Sequence, residues 1–308
     1  MSLSFPARIT NFLLRWKVKP KRNEPFDAAK ARAKLQSLSP KDLPLPSGIT
    51  RAPVAADASR EIPGGEWLRP ATVERTVLYL HGGGYFSCSV ETHRPACAQI
   101  ARRANAQVYS VEYRLAPEYP FPAGINDAVG AYAQVLAGGV APGNLVIAGD
   151  SAGGGLALAC LLEARSRGLP MPAAAVLFSP WTDMTLSGES MRTQAERDAM
   201  FRPEQFPAVV AAYLGEHSPT DPLASPLFSE LKGLPPLMIW ASEDEILNSD
   251  ATRLHAAAQA QGVESELHLA AGLPHVWPIM VRLPESKQAL GEVARFIARR
   301  AGVGSYLA

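Results

Sequence analysis

The chain has 308 residues, of which 47% are hydrophobic, enough for one large α/β domain with an appended lid, and no apolar run reaches membrane-spanning length. Its 30 basic and 29 acidic side chains leave a net charge of +1, which gives no global field for nucleic acid. Three cysteines, Cys88, Cys97 and Cys160, are too few for a disulfide framework and fit a reducing cytoplasm.

The N-terminus differs from the rest. Up to Lys34 it carries nine basic residues and two acidic ones, Glu24 and Asp27. Phe5, Ile9, Phe12, Leu13 and Trp16 recur at helical spacing. The apolar core is too short and too interrupted by charge for a signal peptide. The pattern predicts an amphipathic lid helix whose apolar face covers the active site. Contact with an anionic membrane surface is the alternative for the same pattern. Residues 49–57 and 66–70, around Gly64 and Gly65, read as antiparallel strands that begin a sheet.

Thr76–Leu80 is a short apolar run of the kind buried in a parallel sheet, and His81-Gly82-Gly83-Gly84-Tyr85 follows it. Three glycines let backbone N–H groups turn toward a ligand. No Lys-Ser/Thr follows, so this is not a phosphate-binding P-loop. A helical pattern near 93–104 and a strand at 107–111 come next, then a helix over 123–137.

Asn144–Ala148 is a second buried strand and runs into Gly149-Asp150-Ser151-Ala152-Gly153-Gly154. This is the G-x-S-x-G pattern of a nucleophile elbow, a strand-to-helix turn that presents a serine hydroxyl. The apolar stretch from Leu156 to Leu162 supplies the helix. Paired with the upstream glycine loop, the elbow points to acyl transfer with Ser151 as nucleophile. A strand at 175–179 follows. The alternation of strands and helices then breaks between Trp181 and about Pro222, leaving one helical pattern from Pro203 to Leu214 and predicting a second lid segment.

Leu237–Ala241 is another strand, and the acids Glu243, Asp244 and Glu245 come directly after it. A helix over 250–261, a strand at 266–269 and a helix over 285–300 complete the pattern. Strands alternating with helices imply a mostly parallel sheet covered on both faces. In a hydrolase of this type the order is serine, acid, histidine. His81 and His93 precede the serine, and His217 lies in a polar stretch. His255 falls mid-helix and His268 inside a strand. His275 sits in the loop Gly272–Trp277 just past the last strand, where catalytic groups gather, and is the expected base.

The chain resembles the hormone-sensitive lipase family of α/β-hydrolases, the bacterial family IV esterases. The segments that carry the likeness are His81–Tyr85, Thr92-His93-Arg94-Pro95, Tyr113–Glu118, Phe121-Pro122-Ala123, Gly149–Gly154, Ser179-Pro180-Trp181, Asp221–Pro226 and Gly233–Pro236. The resemblance implies an oxyanion hole from Gly82, Gly83 and Ala152. It also implies an acid in an Asp-Pro-Leu context. Aligning that leucine with Leu247 puts the acid at Glu245, with Asp244 as the alternative, and glutamate departs from the family's usual aspartate.

The expectation is an α/β-hydrolase fold with a catalytic domain over 49–308, a cap segment at 1–48 and a second cap segment inserted at about 185–220. The activity is that of a serine carboxylesterase on small-molecule esters of short to medium acyl chain, with no cofactor and no metal. An amidase or N-deacetylase and a membrane-surface lipase are the alternatives on the same centre. A non-catalytic receptor is disfavoured by His275. A homodimer through the sheet edge is implied by the resemblance alone.

Overall fold

A computed structural model describes residues 3–22, 24–38, 43–57 and 63–302. Residues 1–2, 23 and 39–42 of the expected first cap segment lie outside the described residues. Two helices come first, α1 (Phe5–Lys17) and α2 (Ala28–Leu38). Strands β1 (Thr50–Val54), β2 (Gly64–Arg69) and β3 (Arg75–Leu80) lead to α3 (Val90–Ala104) and β4 (Ala106–Glu112). Then follow α4 (Ala123–Ala137), β5 (Leu145–Asp150), α5 (Ala152–Ser166) and β6 (Ala174–Phe178). The short α6 (Ser190–Thr193) and α7 (Phe206–Leu214) precede β7 (Leu237–Ser242), α8 (Asn248–Ala260), β8 (Ser265–Ala270) and α9 (Pro284–Arg300).

The eight strands form one sheet in the order β1-β2-β4-β3-β5-β6-β7-β8. β1 pairs with β2, and β2 with β4, antiparallel; every other pair is parallel. The antiparallel start and the parallel remainder match the expectation from the sequence.

Both faces of the sheet are covered, and β3 shows how. Val77 and Tyr79 point into one core with Ile100 of α3 and Phe296 of α9. Leu78 and Leu80 point into the other, with Ile125 of α4, Leu156 of α5 and Leu254 of α8. A period of two feeds two cores, so apolar and polar residues do not alternate along Val77–Leu80.

The strand order reverses around β3. The chain goes from β3 to β4 on one side and returns through β5 on the other. Leu80 of β3 lies opposite Gly149 of β5. The segments leaving these two strands, the glycine loop and the elbow, therefore emerge side by side at the switch point, where open α/β sheets place their ligands.

Candidate active site

Ser151 has φ 53° and ψ −123°, a left-handed-side conformation that a non-glycine residue adopts at a cost of order 1–3 kcal/mol. Its neighbours show why this turn needs glycines. A Cβ on Gly149 would lie 2.2 Å from the Gly153 carbonyl oxygen, and one on Gly153 would lie 2.1 Å from that of Leu80. The strained turn is held by the Ser151 N–H donating to the Phe178 carbonyl (2.8 Å) and by Trp181 N–H donating to the Ser151 carbonyl (2.9 Å). Ser151 heads α5 and lines a cavity of about 620 Å³ together with His275.

His275 is 2% exposed and sits on the loop after β8. Its Nδ1 is hydrogen-bonded to Glu245 Oε2. The other carboxylate oxygen, Oε1, accepts from the Ser242 N–H at 2.8 Å. Burial works against the His275 charge, but the facing Glu245 carboxylate outweighs it and raises the imidazole above its ordinary value. His275 Nε2 is buried and has no hydrogen-bond partner among the described residues. The next residue, Val276, has φ 52° and donates its N–H to Ser179 Oγ at 3.0 Å, which ties the loop to the end of β6.

The three acids after β7 separate cleanly. Glu243 is exposed. Asp244 pairs with Arg197 and accepts from the Gly272 N–H. Glu245 is buried and faces His275. Adjacent carboxylates on one turn thus point in different directions, and the imidazole meets Glu245, not Asp244.

The glycine loop departs from the expectation in one respect. Gly82 donates its N–H to Asp150 Oδ1 at 3.0 Å, so that donor is occupied. Gly83 and Gly84, not Gly82, line the cavity beside Ser151. Both have positive φ, 118° and 61°. Of the implied pair Gly82 and Gly83, only Gly83 lines the cavity, and Asp150 holds the Gly82 N–H. Ala152 stands at the first position of α5, where a backbone N–H has no intrahelical partner.

The Asp150 carboxylate is itself a buried hub. It accepts from the Tyr79 hydroxyl (2.8 Å) and lies 3.2 Å from His93 Nε2. Burial opposes its charge, yet the His93 partner holds it below the usual carboxylate range. His81 holds the loop, its Nδ1 at 2.8 Å from the Gly82 carbonyl oxygen. Burial pushes it down to about 3, so it stays neutral.

The cavity wall opposite the sheet comes from two distant parts of the chain. Val18, Pro20, Phe26, Ala31 and Leu35 supply one part, and Phe201, Phe206 and Val209 the other. α2 is pinned by Arg32, which donates to the Phe86 carbonyl (2.7 Å) and pairs with Glu118 (2.7 Å). The expected apolar stripe of α1 does not take part. Phe5, Phe12 and Trp16 are exposed, at 74%, 67% and 70%. Helix α1 docks instead through its polar and small residues, Ala7 being buried and Asn11 donating to the Gly272 carbonyl at 2.6 Å. The stripe was misassigned because periodicity reports that a face exists and not which way it turns.

A family model described as α/β hydrolase fold matches residues 77–279. A crystal structure of an esterase from the bacterial hormone-sensitive lipase family superposes with a TM-score of 0.90 at 37% identity, over 98% of this chain and 100% of that one. The chain belongs to this family. The esterase EstE5, in a crystal soaked with p-nitrophenyl butyrate, gives a TM-score of 0.89 at 39% identity over 96% of this chain and 99% of its own. Among sequences, an acetyl-hydrolase of Streptomyces hygroscopicus is 40% identical over 244 residues, 78% of this chain and 81% of its own. An esterase of Acinetobacter venetianus is 36% identical over 235 residues, 76% of this chain and 78% of its own.

In this family member, sequence reasoning missed Asp198. It is 1% exposed. Its Oδ1 accepts from the N–H groups of Met200 (2.7 Å) and Phe201 (2.9 Å), and its Oδ2 accepts from Ile246 N–H (2.9 Å), next to Glu245. Phe201 in turn meets the His275 ring edge-to-face at 4.8 Å between centroids. One carboxylate thereby joins the segment between β6 and β7 to the turn that carries Glu245. No motif marks Asp198, since its role lies in backbone contacts across the fold.

Proposed function

We propose that this carboxylic ester hydrolase works through an acyl-enzyme formed on Ser151. The serine Oγ attacks the ester carbonyl carbon while His275 Nε2 takes the hydroxyl proton. N–H groups of Gly83, Gly84 and Ala152 stabilise the negative oxygen of the tetrahedral intermediate. As the intermediate collapses, the carbon–alkoxy bond breaks and His275 returns the proton to the departing alcohol. Water then attacks the acyl-enzyme by the same route and releases the acid and free Ser151. Glu245 keeps the proton of neutral His275 on Nδ1 and stabilises the imidazolium.

The observation that carries this reading is the buried His275, with Nδ1 held by Glu245 and Nε2 unpartnered, sharing one cavity with Ser151. Its volume of about 620 Å³ suits a small ester. The names of relatives, an acetyl-hydrolase and esterases, agree with a small acyl group. The segments 1–48 and about 185–220 act as the cap that closes the cavity over the sheet, as the lining residues Phe26, Leu35, Phe206 and Val209 support.

An acyl-length series of p-nitrophenyl esters tests the reading. The rate should peak at roughly four to eight carbons, since each buried CH₂ adds about 0.8 kcal/mol until the pocket is full. A steady rise to long-chain emulsions, with a jump at the oil interface, would favour the lipase reading instead.

A further inference from the structure

Among the described residues, the largest run of exposed apolar side chains is on α1. Phe5, Ile9, Phe12, Leu13 and Trp16 are 74%, 43%, 67%, 39% and 70% exposed. At 100° per residue they fall on one stripe about a quarter-turn wide. The opposite side is fastened to the protein. Ser4 donates through its N–H and its hydroxyl to Glu285, each at 3.0 Å, Asn11 donates to Gly272, and Arg15 donates to the Glu196 carbonyl at 3.0 Å. The helix is thus held rigidly with its apolar face outward, the reverse of an ordinary surface helix.

Basic side chains border this stripe. Arg8 lies along one flank and Lys17 along the other, both exposed, and Lys21 follows beyond the helix end, also exposed. No acidic residue occurs before Glu24. Aromatic residues between cations are what a helix lying in the plane of an anionic lipid surface presents. A second copy of this chain would bring the same cations against each other, so charge disfavours a face-to-face pair.

We propose that α1 docks the enzyme on an anionic lipid surface through Phe5, Ile9, Phe12 and Trp16, with Arg8 and Lys17 meeting the headgroups. Val18 and Pro20, directly after the helix, belong to the cavity wall. Docking therefore brings that wall to the interface. The inference does not rest on the roles given to Ser151, Glu245 and His275.

Sedimentation of the full chain with vesicles tests it, using phosphatidylcholine mixed with phosphatidylglycerol and phosphatidylcholine alone. Binding should be strong on the mixed vesicles, weak on the neutral ones and reduced by salt. The double variant Phe12→Ser/Trp16→Ser should lower the partition constant on the order of 10²-fold. Arg8→Gln/Lys17→Gln should lower it by roughly tenfold or more on the mixed vesicles alone. In each variant, hydrolysis of a soluble ester in the absence of vesicles should stay at the parent level, which shows that the fold is intact. Failure to bind either vesicle would overturn the proposal, as would binding unaffected by the aromatic double variant. A concentration-dependent dimer abolished by that variant, without lipid binding, would also overturn it and give the face to a second copy.

Discussion

Replacing Glu245 by glutamine tests how the structure divides labour among three adjacent acids. The glutamate accepts from Ser242 N–H through Oε1 at 2.8 Å and meets His275 Nδ1 through Oε2. An amide has one oxygen and one NH₂ group. The Ser242 N–H requires the oxygen, so the NH₂ group must face His275. Nδ1 then has to accept, which puts the imidazole proton on Nε2, the atom that must receive the serine proton. The variant also loses the charge that stabilises the imidazolium, an interaction worth about 1.5–3 kcal/mol as a charged hydrogen bond. Together the two effects should lower kcat by roughly 10²–10⁴-fold, or about 3–5 kcal/mol in the barrier. The assay is steady-state hydrolysis of p-nitrophenyl butyrate over a range of pH, with circular dichroism to check folding. Since the Glu245 charge is what raises His275 against burial, its removal should also move the rising limb of kcat/KM to lower pH. Asp244→Asn, which loosens the pair with Arg197, should stay within about threefold of the parent. A crippled Asp244→Asn beside a near-normal Glu245→Gln would refute the reasoning.

Asp198→Ala removes the acceptor for three backbone N–H groups, so kcat/KM for the same ester should fall by roughly 10–100-fold. Asp198→Asn, which keeps a carbonyl oxygen, should recover part of it, and a kcat/KM unchanged in both variants would sink the positioning role. Asp250 accepts from the N–H groups of Thr182 (2.7 Å) and Asp183 (2.9 Å) in a fully buried place, and burial pushes its carboxyl up from 3.8 to about 7. Its stabilising contribution is therefore full at pH below 3.8, falls as the unfolded chain ionises, and levels off above about 7. Measured by thermal melts, Tm of Asp250→Asn relative to the parent should rise by roughly 7 °C across that window, and a flat difference would contradict it.

The sheet and the elbow were legible because local rules fix them. Buried parallel strands such as Thr76–Leu80 read as continuous apolar runs, and the turn at Ser151 needs glycine at 149 and 153. His275 was legible by chain order and by its place after the last strand. Singling out Glu245 as the carboxylate that meets His275 needed a register argument, since Glu243, Asp244 and Glu245 are chemically alike and separate only by side-chain direction. That the Gly82 N–H donates to Asp150, 68 residues away, left no trace in the local sequence. Asp198 left no local trace, and the outward turn of the α1 stripe is decided by contacts to Gly272 and Glu285 at the far end of the chain.

The most direct test of the acyl-enzyme account is to treat the protein with an organophosphate ester and map the modified residue by peptide mass spectrometry. The account predicts one adduct per chain, on Ser151, with loss of activity in step with labelling and no adduct on Ser151→Ala. An adduct on another residue that tracks inactivation, or near-parent activity in Ser151→Ala, would contradict it.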